Sequence, residues 1–87
     1  MSGEAKVAWA EYETHHNGSE HPCVGTLLMT GDDAFLLRER IQIGMDQDLG
    51  REIFDERSRV LSLPEAKRVL NDWIALEIAE VVQIPWD

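Results

Sequence analysis

His15, His16, His21 and Cys23 fall within nine residues, and imidazole nitrogen plus thiolate sulfur is the ligand set that zinc favours. Their spacing matches no established zinc pattern, and adjacent histidines on a strand point to opposite faces. The competing reading of the segment is a solvated polar loop. A second candidate is Asp46-Gln47-Asp48-Leu49-Gly50-Arg51, which puts carboxylates at the first and third positions of a calcium loop and Ile53 at the eighth. Arg51 stands where the sixth position requires glycine, and Arg57 where the twelfth requires a bidentate glutamate. What remains is an acidic hairpin in which Asp46, Asp48, Glu52, Asp55 and Glu56 gather five carboxylates within eleven residues.

A covalent mechanism would need a nucleophile beside a base. Cys23 and His21 are close in sequence, but side chains two apart on a strand share a face without meeting, and no G-x-S-x-G loop is present. The six glycines are isolated, so no phosphate-cradling loop exists. The chain is expected to be non-enzymatic and to need no cofactor.

Charge carries more information. Seventeen Asp and Glu oppose eight Lys and Arg, for a formal charge of -9 spread through all 87 residues. Such a surface repels nucleic acid and acidic membranes and suits a basic protein partner. Arg38, Arg40, Arg51, Arg57 and Arg59 occupy the middle third, but each lies near Glu39, Glu52, Asp55 or Glu56, and cross-strand pairs such as Arg40 with Glu56 are expected to consume them. A single cysteine cannot form an internal disulfide, which fits a reducing cytosol. No apolar run approaches the roughly 18 residues of a membrane span, and the acidic N-terminus lacks signal-peptide character, so the expected location is the cytoplasm.

These groups must be positioned by few elements, because a chain of 87 residues makes one small domain, residues 1–87. Residues 1–5 carry no pattern and read as a frayed end. Alternation over residues 6–13 predicts a strand, Asn17-Gly18 a tight turn, and residues 23–30 a second strand. Gly31-Asp32 suits a type II′ turn, after which residues 34–45 read as a longer third strand. Residues 46–50 are turn formers leading to a short fourth strand at 51–56. Ser62-Leu63-Pro64-Glu65 is a helix start, with a capping side chain, a proline in the first turn and a glutamate that can reach back. Apolar spacing carries that helix to about Glu80, and residues 81–87 leave as an extended tail because Pro85 disfavours helix at Ile84. The fold class is α+β: a four-stranded antiparallel β-meander with one C-terminal α-helix on one face.

Pairing Thr30 with Asp33 puts Val24, Thr26, Leu28, Phe35, Leu37, Ile41 and Ile43 on the helix side, with Val7, Trp9 and Ile53 joining. The other face then holds Ala8, Ala10, Tyr12, Leu27, Met29, Ala34 and Leu36, an apolar surface for a second subunit, another partner or the C-terminal tail. A register slip of one residue exchanges the two faces.

Two functions compete. One is an inhibitor or adaptor whose carboxylates occupy a basic groove on a nucleic-acid-handling protein in place of phosphates, a mimic of DNA charge. In size and charge the chain resembles compact anti-defence proteins of bacteriophages, anti-CRISPR proteins among them, with no motif in common. The other is a structural or assembly protein that dimerises or docks through Tyr12, Leu27, Met29 and Leu36, its acidity serving solubility. A metal-binding domain built on His15, His16, His21 and Cys23 is the third reading.

Overall fold

The computed structural model describes residues 4–86. The expected frayed end lies outside the described residues at positions 1–3, and at Ala5 a strand has already begun. Asn17 and Gly18 both take positive φ, 50° and 89°, as a tight hairpin turn demands, and β1 (Ala5–His16) pairs with β2 (Ser19–Gly31) from His16 opposite Ser19 onward. β3 (Ala34–Asp46) and β4 (Arg51–Ser62) complete the meander. The helix α1 (Leu63–Ala75) follows, and β5 (Ala79–Val81) returns to the outer side of β1. The result is a five-stranded antiparallel sheet in the order β4-β3-β2-β1-β5, with α1 packed on one face.

Four expectations need correction. β4 is not a short strand ending at Glu56. It continues through Arg57-Ser58-Arg59 to Ser62, and that stretch is polar because β4 is an outer edge, where charged side chains discourage pairing with other chains. The helix starts where the capping box places it: Ser62 N donates to Glu65 Oε1 at 3.0 Å and Glu65 N donates to Ser62 Oγ at 3.3 Å. It stops at Ala75 instead of Glu80 because Glu77 adopts φ 61°, letting Glu77 N donate to Ile74 O and Ile78 N to Trp73 O, each at 3.0 Å. The residues beyond it are not all tail: Ala79 and Val81 pair with Ala10 and Ala8, so the end of the chain supplies a fifth strand.

The fourth correction concerns the faces. The β2–β3 turn is centred on Asp32-Asp33, with Asp33 at φ 55°, and Gly31 pairs with Ala34 while Thr30 is accommodated in a bulge. Leu27 therefore faces Leu37 and Met29 faces Phe35. β3 keeps its predicted core residues Phe35 and Leu37, but β1 and β2 turn over. Ala8, Ala10 and Leu27 are fully buried beneath α1 with Leu61, Ala66, Leu70 and Trp73, and Met29 packs against them. Trp9, Thr26, Val24 and Leu28 move to the outer face, while Val7 stays in the core because it is the extra residue of a bulge in β1. Burying Leu27, Leu61 and Leu70 alone contributes about 1.5–3 kcal/mol each. The tail reaches the core side too: Trp86 meets the Phe35 ring edge-on at 5.6 Å, and Val82 N donates to Val7 O at 2.8 Å.

Element length sets the shape of the site. Thirteen helical residues span about 20 Å, whereas strands of 12 or 13 residues run for about 40 Å, so α1 covers only one half of the sheet. The turns at Asn17-Gly18 and at residues 47–50 both lie in the uncovered half.

Candidate functional site

The uncovered half is closed on its inner face by polar side chains. Gly25 lies beside Tyr12, and a Cβ there would sit 2.7 Å from Tyr12 Cε1 and collide with the hydroxyl as well. Without that Cβ, the ring crosses β2 and Tyr12 Oη donates to Glu39 Oε2 at 2.6 Å on β3. Arg57 Nε donates to Glu39 Oε1 at 2.7 Å from β4, and its Nη2 donates to Thr14 Oγ1 at 2.6 Å on β1. β1 and β4 are separated by two strands in the ladder, so this bridge requires the sheet to coil until its first and fourth strands approach one another. Trp73, at 5.8 Å from the Tyr12 ring, marks where helix packing gives way to this cluster.

The cluster is electrostatically settled. Burial opposes ionisation of Glu39, but the hydrogen bonds from Tyr12 and Arg57 and the Arg57 charge outweigh it and hold the carboxyl below its ordinary range. Burial, then the hydrogen bond and charge of Glu39, keep the Tyr12 phenol protonated far above its ordinary range. The Cys23 thiol, whose Sγ donates to Glu39 Oε2 at 3.8 Å, is pushed up to about 11, first by burial and then by the Glu39 charge. A buried, protonated thiol is a poor nucleophile and a poor ligand.

Two of the three histidines meet, the His16 and His21 rings lying edge-on with centroids 6.1 Å apart, but the four candidates do not gather around one point. His15 lies on the outer face with Nδ1 3.7 Å from Glu20 Oε1, His16 on the inner face with Nε2 3.1 Å from Asp55 Oδ2, and His21 Nε2 is 3.2 Å from Ser19 Oγ. Cys23 is directed to Glu39. Among the described residues, no group of three His, Cys, Asp or Glu is arranged to hold a metal ion.

The five carboxylates of the second hairpin divide by task. Asp46 Oδ1 accepts from Asp48 N at 3.0 Å and from Leu49 N at 3.3 Å, which builds the turn, and Gly50 closes it at φ 63°. Asp55 bridges to His16. Asp48, Glu52 and Glu56 are exposed, and no ion pair among the described residues reaches them. Three of the arginines expected to neutralise this hairpin are occupied elsewhere, and Arg51 lies across from Asp46 on the face opposite to Glu52 and Glu56. Arg57 is turned inward, Arg38 pairs with Glu4 at 3.4 Å, and Arg40, although directly across from Glu56, lies 4.0 Å above the Phe54 ring.

Of the apolar interface expected on an open face, Tyr12, Leu27 and Met29 are instead on the helix side, through the register described above; only Leu36 lies on the outer face, where it is half-buried. That outer face contains a feature absent from the sequence reading. β2 and β3 pair only as far as Cys23 opposite Ile41. The next residue of β2, Pro22, has no N–H to offer β3, and β3 carries an extra residue at Ile43 in its ladder with β4. The two hairpins part there, and a cleft of about 340 Å³ opens between them, lined by Glu11, Pro22, Val24, Gln42, Glu52 and Phe54 together with Tyr12 and Cys23 of the inner cluster.

No family model, curated protein or solved structure matches this chain. The functional reading therefore rests on the geometry alone. No helix among the described residues is long and apolar enough to cross a membrane.

Proposed function

We propose that this chain is a small non-catalytic binding domain that presents carboxylates to a basic surface of another protein, one that otherwise handles nucleic acid. The observation that supports the reading is the diversion of Arg40 and Arg57 to Phe54 and Glu39, with Asp48, Glu52 and Glu56 in no ion pair among the described residues at the half of the sheet that α1 does not cover. An arginine stacked on an aromatic ring or bridging inward makes no direct ion pair with these carboxylates, so the net negative field of the hairpin extends into solvent and steers a cationic partner. Spaced carboxylates take positions that phosphates would otherwise fill, and the chain acts as an inhibitor or adaptor of DNA-mimic or anti-defence type. The single thiol, Cys23, suits a reducing compartment such as the cytoplasm.

The test is capture of a partner by the wild type and by a variant with Asp46, Asp48, Glu52, Asp55 and Glu56 changed to their amides. Binding that falls steeply with salt and is lost in the variant is the expected result. Salt-insensitive binding that survives neutralisation contradicts the reading.

One observation supports the second reading, assembly through apolar surface, at a different place from the one expected. Ile74, Leu76, Val81, Val82 and Ile84 are exposed together around the end of α1 and β5. Under that reading Leu76→Asp abolishes self-association seen by light scattering; a chain that is monomeric without any substitution excludes a homodimer.

A further inference from the structure

We infer that the cleft between the two hairpins is the docking site of the basic partner, and that its occupant is an extended, Lys- or Arg-bearing segment lying along the free side of β3 at residues 42–45. The inference rests on the proposed function and assigns it a place and a ligand geometry.

Charge complementarity is the first argument. Glu11 and Glu52 line the cleft, and the ladder puts Glu13, Glu20 and Glu56 on the same outer face. Arg40, on that face, is already over Phe54, and Arg51, opposite Asp46, falls on the inner face. Arg40 is therefore the cation beside the cleft, since Phe54 lines it, and it is outnumbered by the carboxylates of the same face.

The floor supplies the second. The buried Cys23 and the half-buried Tyr12 and Phe54, with Pro22 and Val24 beside them, give the cleft an apolar base beneath the exposed Glu11 and Glu52. Long basic side chains match this layering, since their methylene stems lie on apolar surface while the charged heads reach carboxylates. A compact hydrated cation or a purely apolar peptide would satisfy only one layer. The volume of about 340 Å³ is at the small end of binding cavities, enough for one or two such side chains and too little for a folded element.

The backbone supplies the third. Beyond Ile41 the β2-facing side of β3 has no ladder partner among the described residues, and Pro22 across the gap has no N–H. A strand with an unpaired side is a template for an added strand, which gains main-chain hydrogen bonds while alternate side chains enter the cleft. Met45, more than half exposed next to this edge, offers adaptable contact surface.

The experiment records backbone amide shifts of the isotope-labelled full chain while a short peptide of alternating lysine and valine is added, with poly-lysine and an N-methylated version of the same peptide as comparisons. The inference predicts the largest shifts at Val24, Phe54 and residues 42–45, and about tenfold weaker binding of the N-methylated peptide, which cannot complete a ladder. Val24→Lys and, as an independent surface change, Glu52→Lys are each expected to weaken binding about tenfold, while Asp32→Asn, in the exposed β2–β3 turn at the other end of these strands, changes it by less than about twofold. Thermal melts confirm that each variant is folded. Shifts centred on residues 46–50, with Glu52→Lys neutral, overturn the cleft while leaving the proposed function standing. Failure of every basic probe, poly-lysine included, to bind at low ionic strength overturns the proposed function and the cleft with it.

Discussion

Tyr12 reaches Glu39 by crossing Gly25, and its hydroxyl ends 2.6 Å from Glu39 Oε2. One missing methyl group on the middle strand thus lets a residue of β1 bond to β3, and Arg57 extends the connection to β4. The crossing and the coil of the sheet together gather Tyr12, Glu39, Arg57 and Thr14 into one cluster.

Gly25→Ala must displace the Tyr12 ring and should destabilise the chain by about 1–3 kcal/mol, as overpacking of a filled site does. Tyr12→Phe keeps the ring and loses only the hydrogen bond to an ionised partner, for about 1.5–3 kcal/mol. Urea unfolding of both variants checks the pair. A Gly25→Ala protein as stable as the wild type means that the ring does not lie where it is described.

The acid limb of the stability profile belongs in part to Glu39. Its folded carboxyl is held below the unfolded value, so the stabilisation is present above the unfolded value and disappears as pH falls through the folded one. Glu39→Gln should flatten stability against pH in this acid window, measured by urea midpoints. On the alkaline side the sign reverses: Cys23, raised to about 11 from 9.0, binds its proton more tightly when folded, and its contribution fades as pH rises through that interval. Cys23→Ala should reduce the alkaline loss, leaving the share from Tyr12 at still higher pH.

Glu77 holds a left-handed conformation that an L side chain adopts at a penalty, and it terminates α1. Glu77→Gly should therefore raise stability by about 0.5–1 kcal/mol despite the greater freedom of glycine in the unfolded chain. An unchanged or lowered melting temperature contradicts the helix end as described.

The faces of the sheet are tested by one contrast. Leu27→Asp, at a fully buried position, should prevent folding at a penalty above about 4 kcal/mol, whereas Val60→Asp, at a position 77% exposed, should stay within about 0.5 kcal/mol. Circular dichroism of the two proteins distinguishes this arrangement from the exchanged one.

That contrast also marks how far the sequence is legible. Local signals were sufficient for the Asn17-Gly18 turn and for the Ser62–Glu65 capping box, because each is decided within four residues. The face of β2 was not, because the Asp32-Asp33 turn and the Thr30 bulge shift register by one, and Gly31-Asp32 reads equally well as the turn itself. Glu39 and Arg57 looked like members of a mixed-charge stretch; their meeting depends on the coil of the sheet and on Tyr12 crossing Gly25, which no short-range pattern encodes. The carboxylates of the second hairpin were legible as a group, but the division between turn-building Asp46, His16-bound Asp55 and exposed Asp48, Glu52 and Glu56 was not.

Competition between this chain and nucleic acid for one basic surface is the most direct test of the proposed function. With a captured partner in hand, nucleic acid is titrated into the complex and the bound chain is followed by fluorescence of its tryptophans. Displacement at a midpoint that moves with salt is the predicted result, and simultaneous occupancy of the partner by nucleic acid and by this chain contradicts it.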